Sequence, residues 1–500
     1  VTIEKVARAM SWSLFGRAAA FIAGIAANIM IVRGLSDSDW GVLSEIRTIL
    51  AYVYVLVMLG LDSALLKYLP ALRVGGGVPH FVKTVRWLIL LQVGVWGALL
   101  ALSRFGGGGL NGFFRQPAGS FSFYLQLGVC FVIFEIFMAF VTTIYQSWYE
   151  TKRLAAVVIG GNILYVAALV TTLRLGWGIP GVLVSSAVMN LSMVIVLLPH
   201  VRSLLRSAQA GAADPIPAGA ILGFSLPLVM NGLLNQVVWR QSEVIFLGHF
   251  WGAKVAGYFS LAYRNPQLML EFVPLTIWPL VLAGMSEFYA RDEKNLPRSV
   301  DLYYRLIYLL VVPIAAMGFA FARPLVPLLF GAKMLPAALV TQLFFVVFSY
   351  SFLYTPLSMA LYVIGKSWVN MVVFLCLAIL NIGLDLAFIP RYGLWGAFAP
   401  ITSVLVIEVI AFNRVVRRFR PDVQVPFGFV ARCYAAAVPA ALVGFISYRW
   451  SSPLELLCEF VVALALLVAG FRVAHVVGPN ERELIMRLPV PFKRQLVAIF

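Results

Sequence analysis

The chain has 500 residues, of which 62% are hydrophobic and only 12% charged, with a mean hydropathy of +0.93. That leaves too little polar surface to cover a soluble core, so soluble domains are excluded, although the length alone would hold about three of them. The net charge of +17 comes from basic residues that punctuate apolar runs and form no stripe with aromatics; this excludes nucleic acid as a partner and points to membrane lipid.

A bilayer-spanning helix needs roughly 20 apolar residues. Runs of this kind fall at 11–34, 41–68, 81–103, 119–146, 154–174, 179–200, 218–247, 254–286, 301–322, 336–364, 368–389, 394–416, 428–449 and 452–475. They predict an all-α polytopic membrane protein of about fourteen helices. The first run carries Arg17 and leads into the second with no clear cleavage site, so no removable signal is expected. Cys130, Cys376, Cys433 and Cys458 share no metal-ligand or redox spacing and read as small hydrophobes. No metal or cofactor is called for. The connecting segments are too short to hold a catalytic domain, so the chain does not read as an enzyme.

An even helix count puts both termini on one side. The loops on that side carry 22 Lys and Arg against 9 on the other. The positive-inside rule then places both termini in the cytoplasm.

Residues 207–217, Ser-Ala-Gln-Ala-Gly-Ala-Ala-Asp-Pro-Ile-Pro, read as a flexible linker after the sixth helix. An internal repeat supports a division there. Trp40-Gly41 and Ala256-Gly257 occupy matching turns 216 residues apart. Gly178 and Gly181 match Gly393 and Gly396 at an offset of 215, and Lys152 matches Lys366 at 214. The expected organisation is a first lobe over 1–206, a second over 218–420, two added helices within 421–477, and an amphipathic tail over 478–500. Each lobe holds an even number of helices, so the copies share one orientation and relate by a pseudo-twofold axis along the membrane normal. Transporters built this way place their site between the lobes.

Ionisable groups inside a membrane are costly and mark cavities or partners. Arg17 shares a helical face with Ala20, Gly24 and Asn28, and Arg47 opens a face continued by Ala51, Tyr54 and Met58. The seventh helix carries Asn231, Asn235, Gln236, Arg240 and Glu243; the eighth carries Arg264, Asn265, Gln267 and Glu271. Arg17, Arg47, Arg240 and Arg264 therefore fall two per lobe on corresponding helices. An arginine fork suits a diphosphate because it donates two parallel hydrogen bonds and keeps its charge in a low dielectric. Snorkelling to an interface is the plainer reading of each one, as is pairing of Arg240 with Glu243. Asp62, Glu135, Glu243, Asp385 and Glu408 are candidates for ion coupling, with structural pairing as the alternative.

Three stretches resemble a known family. Arg33-Gly34-Leu35-Ser36-Asp37-Ser38-Asp39-Trp40-Gly41 is similar to the turn after its first helix, and Leu59 to Tyr68 to the end of its second. Glu243 to Tyr258, with Leu247-Gly248, Gly252 and Gly257-Tyr258, resembles its seventh-to-eighth junction. The family is the multidrug/oligosaccharidyl-lipid/polysaccharide exporter superfamily, and within it the polysaccharide biosynthesis flippases that move O-antigen-type repeat units. The resemblance implies a central cavity that opens alternately to each side. It implies undecaprenyl-diphosphate-linked oligosaccharide as cargo, and polysaccharide assembly enzymes as further partners. It also implies cavity cations and polar groups at Arg17, Asn28, Arg47, Asn235, Arg240 and Arg264. Glu243 departs from the aspartate usual in relatives, which bears on ion coupling. Two rivals remain: a drug or metabolite antiporter of the same fold, disfavoured by the absence of an acid in the first helix, and a membrane glycan polymerase or ligase, disfavoured by the short loops.

Overall fold

The computed structural model describes residues 3–75, 77–114, 120–206, 216–239, 241–446 and 453–478, and every regular element among them is helical. Most of the expected linker, the expected tail beyond Gly478, and Arg240 lie outside the described residues. The chain divides into two compact units, residues 1–257 and 258–500.

The first unit contains α1 (Ile3–Gly34), α2 (Asp37–Met58), α3 (Leu61–Gly75), α4 (Val78–Phe105), the short α5 (Gly107–Phe113), α6 (Ser120–Ser147), α7 (Thr151–Arg174), α8 (Gly178–Arg206), α9 (Ala218–Trp239), α10 (Glu243–Trp251) and the start of α11 (Ala253–Arg291). α1 packs on α7, and α6, α7 and α8 share a core of Met138, Val141, Tyr145, Leu154, Met193, Leu197 and Val201. The second unit holds the rest of α11, then α12 (Leu296–Phe330), α13 (Leu335–Ser351), α14 (Tyr354–Val363), α15 (Ser367–Phe419), α16 (Phe427–Ile446) and α17 (Pro453–Val473). There α12 packs on α13 and α16, and α16 on α17.

Among the described residues, twelve helical segments are long and apolar enough to cross a membrane. Their outward sides are apolar too: Trp87, Leu90 and Leu102 on α4 and Leu457 and Val461 on α17 are exposed. Such surfaces are stable against hydrocarbon, not water.

Several runs read as single helices are broken, and at each break described here a side chain bonds a freed carbonyl. The 41–68 run splits into α2 and α3 because Leu59 takes a left-handed φ of 51° and Gly60 one of 66°. Gln92 of α4, buried, donates to the Met58 carbonyl at 2.7 Å. The 218–247 run splits at Gln241, with φ of 67°, and Ser242 Oγ donates to the Val237 carbonyl at 2.9 Å. The 336–364 run splits between α13 and α14. Buried Tyr304 donates to the Leu353 carbonyl at 2.7 Å, and Tyr308 reaches the Ser349 and Tyr350 carbonyls, each at 3.3 Å. Interrupted helices are tolerated at membrane depth only when the freed backbone groups are satisfied in this way. The stretch numbered α15 is two helices meeting at a tight turn: Gly393 has φ 54° and ψ −125°, outside the helical region, and lies between the expected helices 368–389 and 394–416.

The N-terminus of α2 is tightly specified. Ser36 Oγ accepts the Asp39 amide hydrogen at 3.1 Å and donates to the Asp39 carboxylate at 2.7 Å. Asp37 and Asp39 both sit in the first turn, at the positive end of the helix. From there α2 runs along α10 and the start of α11 with backbones nearly touching. A Cβ on Gly41 would fall inside the Ala253 carbonyl group. One on Gly257 would lie 2.9 Å from Trp40 Cδ1 and 3.0 Å from Gly41 Cα. The buried Trp40 indole N–H donates to the Gly257 carbonyl at 2.9 Å, and Lys254 Nζ lies 3.4 Å from Asp37 Oδ2.

Two substitutions test this account. Gly41→Ala should cost about 1–3 kcal/mol or more through overpacking and lower the melting temperature in detergent, whereas Gly94→Ala, with open space around it, should not. Tyr304→Phe should cost about 0.5–1.5 kcal/mol by removing one buried hydrogen bond, read in the same melting assay.

Candidate functional site

The candidate residues divide between the two units. In the first, Arg17 is exposed on α1, one residue after Gly16, which is packed against Ala155 of α7. Asn28 is half-buried on the same helix, and Gly24 between them has nothing near its Cα face, so the small stripe lies beside open space. Arg47 is half-buried on α2, as is Asn235 on α9. α9 packs on α2, with Gly232 against Val55. The adjacent Gln236 Oε1 is buried without a hydrogen-bond partner among the described residues. Polar atoms stranded at that depth are what a polar cargo or water would satisfy.

The acids of this unit do not act as isolated groups. Tyr54 of α2 is half-buried and within electrostatic range of both Asp62 on α3 and Glu135 on α6. Three helices therefore bring two candidate coupling acids around one phenol. Glu135 is exposed, midway along an apolar span, and Asp62 is half-buried. Glu243 opens α10 and is fully buried.

In the second unit, Arg264 is half-buried on α11. One turn further along, Gln267 Nε2 donates to Glu271 Oε1 at 2.9 Å. Asp385 and Glu408, both on α15, are fully buried. Asn381 Nδ2 donates to Asp385 Oδ2 at 3.4 Å, one turn away. Glu408 is within electrostatic range of Tyr350 and Tyr354, and Tyr354 also senses Glu271 and Tyr303. Side chains from α11, α12, α13, α14 and α15 thus converge on one acidic, phenol-lined cluster. Among the described residues no group of three or more His, Cys, Asp or Glu is placed to hold a metal ion.

Two features escaped the sequence reading. Lys67, counted there as a loop cation, stands 3.7 Å from the centre of the Phe224 ring, a cation–π contact between α3 and α9. Glu45 of α2 is fully buried. Its signal in the sequence is an acid in the first turns of the 41–68 apolar run, two residues before Arg47.

Residues 30–339 match the model of a family described as polysaccharide biosynthesis protein. The chain belongs to this family. A search of curated proteins finds no match. Among solved structures, a lipid II flippase, MurJ, in an inward closed conformation superposes with a TM-score of 0.71 at 15% identity, covering 94% of this chain and 98% of that one. An outward-facing multidrug resistance transporter, described as of the MOP superfamily, gives a TM-score of 0.56 at 17% identity, covering 83% and 95%. A superfamily transporter from Pyrococcus furiosus, described as having a binding pocket of reversed polarity, gives 0.55 at 14% identity, covering 83% and 96%. At these identities the likeness establishes the fold alone: this family member is an all-α, multi-pass membrane protein.

The buried acids make a folding prediction. Neutral isosteres remove the cost of burying a charge. Asp385→Asn and Glu408→Gln should therefore melt at or above the parent temperature, while Glu408→Lys should fail to accumulate, read by fluorescence-detected size exclusion.

Proposed function

We propose that this chain is a flippase that carries an undecaprenyl-diphosphate-linked oligosaccharide, a polysaccharide repeat unit, from the inner to the outer leaflet of a bacterial cytoplasmic membrane by alternating access. The observation that carries the proposal is the presence of Arg17 and Arg47 within apolar spans of a chain whose family makes polysaccharide. An arginine kept at membrane depth needs an anionic partner. A diphosphate carried on a lipid supplies one, and the fork geometry of the guanidinium matches it. The fold shared with a solved lipid II flippase supports the same reading. Arg264, on α11, joins these two as a cargo contact, as does Arg240. Asn28 and Asn235 supply neutral donors.

In this reading the chain spans the membrane about fourteen times. The 53-residue α15 would extend about 80 Å if straight, more than two bilayer cores, and its turn at Gly393 makes it two spans. α10 and α11 together make another. Both termini lie in the cytoplasm, on the side rich in basic residues. Helices repeated in sequence form two lobes, over 1–206 and 218–420, with 421–477 as an addition and 478–500 as an amphipathic tail on the cytoplasmic membrane face. A membrane potential, negative inside, favours outward movement of an anion by about 2.3 kcal/mol per charge per 100 mV. No bond is made or broken, no cofactor is used, and polysaccharide assembly enzymes supply and consume the cargo. Asp62, Glu135, Glu243, Asp385 and Glu408 are the candidates for any coupling ion.

An antiporter of cationic drugs is the second reading, favoured by the likeness to multidrug transporters and opposed by membrane-embedded cations that would repel such cargo. Translocation measured in cells that depend on this chain separates the two. Losing a charge-assisted bidentate contact costs about 1.5–3 kcal/mol, so Arg17→Ala and Arg264→Ala should each slow export by about tenfold or more. Lysine at either position should restore part of the rate. Unimpaired export by both alanine variants at normal protein levels removes the arginines from the mechanism.

A further inference from the structure

Glu45 stands two turns below the N-terminus of α2, about 12 Å into the span by helical rise, and is fully buried. Among the described residues neither carboxyl oxygen has a hydrogen-bond partner. The side chain lies flat on α10 where Gly248 leaves room for it. A Cβ on Gly248 would collide with Oε1 and stand 2.7 Å from Cδ. Along the same seam, one turn toward the α2 N-terminus, Gly41 meets Ala253. The helices therefore run antiparallel, with Gly41 and Glu45 facing Ala253 and Gly248 in turn. The neighbouring positions on the two helices are apolar: Val42 and Ile46 of α2 and Val244 and Leu247 of α10 are all buried.

No described cation faces the carboxyl. α2 packs against α1, α4, α6, α8, α9, α10 and the start of α11, whose basic residues are Lys254, at the mouth of the seam, and half-buried Arg264, ten residues further along. On α1 the described charged side chains, Arg17 and Arg33, are exposed, as are His80, Lys83, Arg86 and Arg104 on α4 and Arg202 and Arg206 on α8, where His200 is half-buried. α6 offers Glu135, another acid, and α9 holds no ionisable residue. α10 offers Glu243, again an acid, and His249, whose Nδ1 is turned to the Phe113 carbonyl at 2.8 Å. On α2 itself, Asp37 at the mouth of the seam is paired with Lys254, and Arg47 is half-buried two residues along, on a different face of the helix.

We propose that Glu45 is a proton-binding site that latches α2 to α10. A carboxylate buried without a partner costs several kcal/mol, whereas the neutral acid costs far less. The closed seam therefore holds the carboxyl protonated. Parting of α2 from α10 admits water and allows the proton to leave. Closing the seam takes up one proton and opening it releases one, so the two movements of a transport cycle are linked to proton binding at an identified atom pair. The sign follows from linkage: the closed form binds the proton more tightly, so its population is complete at low pH and falls as pH rises.

Full-length protein in nanodiscs tests this without any cargo, so its outcome is separate from the flippase reading. Nitroxide labels replace the exposed residues Ser38 and Trp251, flanking the seam, in a chain whose four cysteines have been substituted. Pulsed electron-spin distances are then recorded from about pH 5 to about pH 9. The short-distance population is expected to fall several-fold over that range. In Glu45→Gln, which mimics the protonated acid, it is expected to stay high throughout. A population insensitive to pH in the parent, or a pH dependence that survives Glu45→Gln, overturns the proposal. So does a dependence abolished by Glu243→Gln and kept in Glu45→Gln, because the proton then binds the other acid of the seam.

Discussion

The close approach of α2 to α10 and the start of α11 is the contact on which the first unit depends. Lipid chains are as apolar as leucine, so helices in a bilayer gain little from hiding apolar surface from one another. Association rests on van der Waals contact and hydrogen bonds, and both grow steeply as backbones approach. Gly41 and Gly257 provide the approach, and the Trp40 indole fills the adjoining space and ties to the Gly257 carbonyl. These residues come from segments more than 200 positions apart, so one short turn at each place holds distant parts of the chain together.

Proximity of this kind gives meaning to the helix breaks. A span that must both pack and admit a polar cargo cannot be uniformly helical, and each interruption frees carbonyls that hydrocarbon will not solvate. Here the answers are local and protein-made. Gln92 serves the end of α2, Ser242 the turn before α10, and Tyr304 and Tyr308 the junction of α13 and α14. Breaks held in this way are defined joints, positioned by hydrogen bonds.

The charges fall into two chemical kinds. Arginines on α1, α2 and α11 are exposed or half-buried, where an anion can reach them. Most of the candidate acids are deeper, and two of them on α15 are fully enclosed. The separation follows from chemistry, since a guanidinium keeps its charge where a buried carboxyl readily gives it up.

Composition and hydropathy were enough to place the chain in a membrane, because spanning requires about 20 apolar residues and little else. The turn motif around Trp40-Gly41 and the junction from Glu243 to Tyr258 were also legible, since tight turns restrict which residues fit. The breaks at Leu59, Gln241 and Phe352 were not. Neither Leu59 nor Gln241 is a residue that advertises a left-handed turn, and the side chain that serves the first break, Gln92, comes from another helix. The candidate arginines were visible as charges in apolar runs, but nothing in the sequence marked Glu45 as buried. Only packing revealed that Gly248 opens a place for it and that no described cation comes near. Burial and pairing are properties of neighbours, and the tertiary structure decides who the neighbours are.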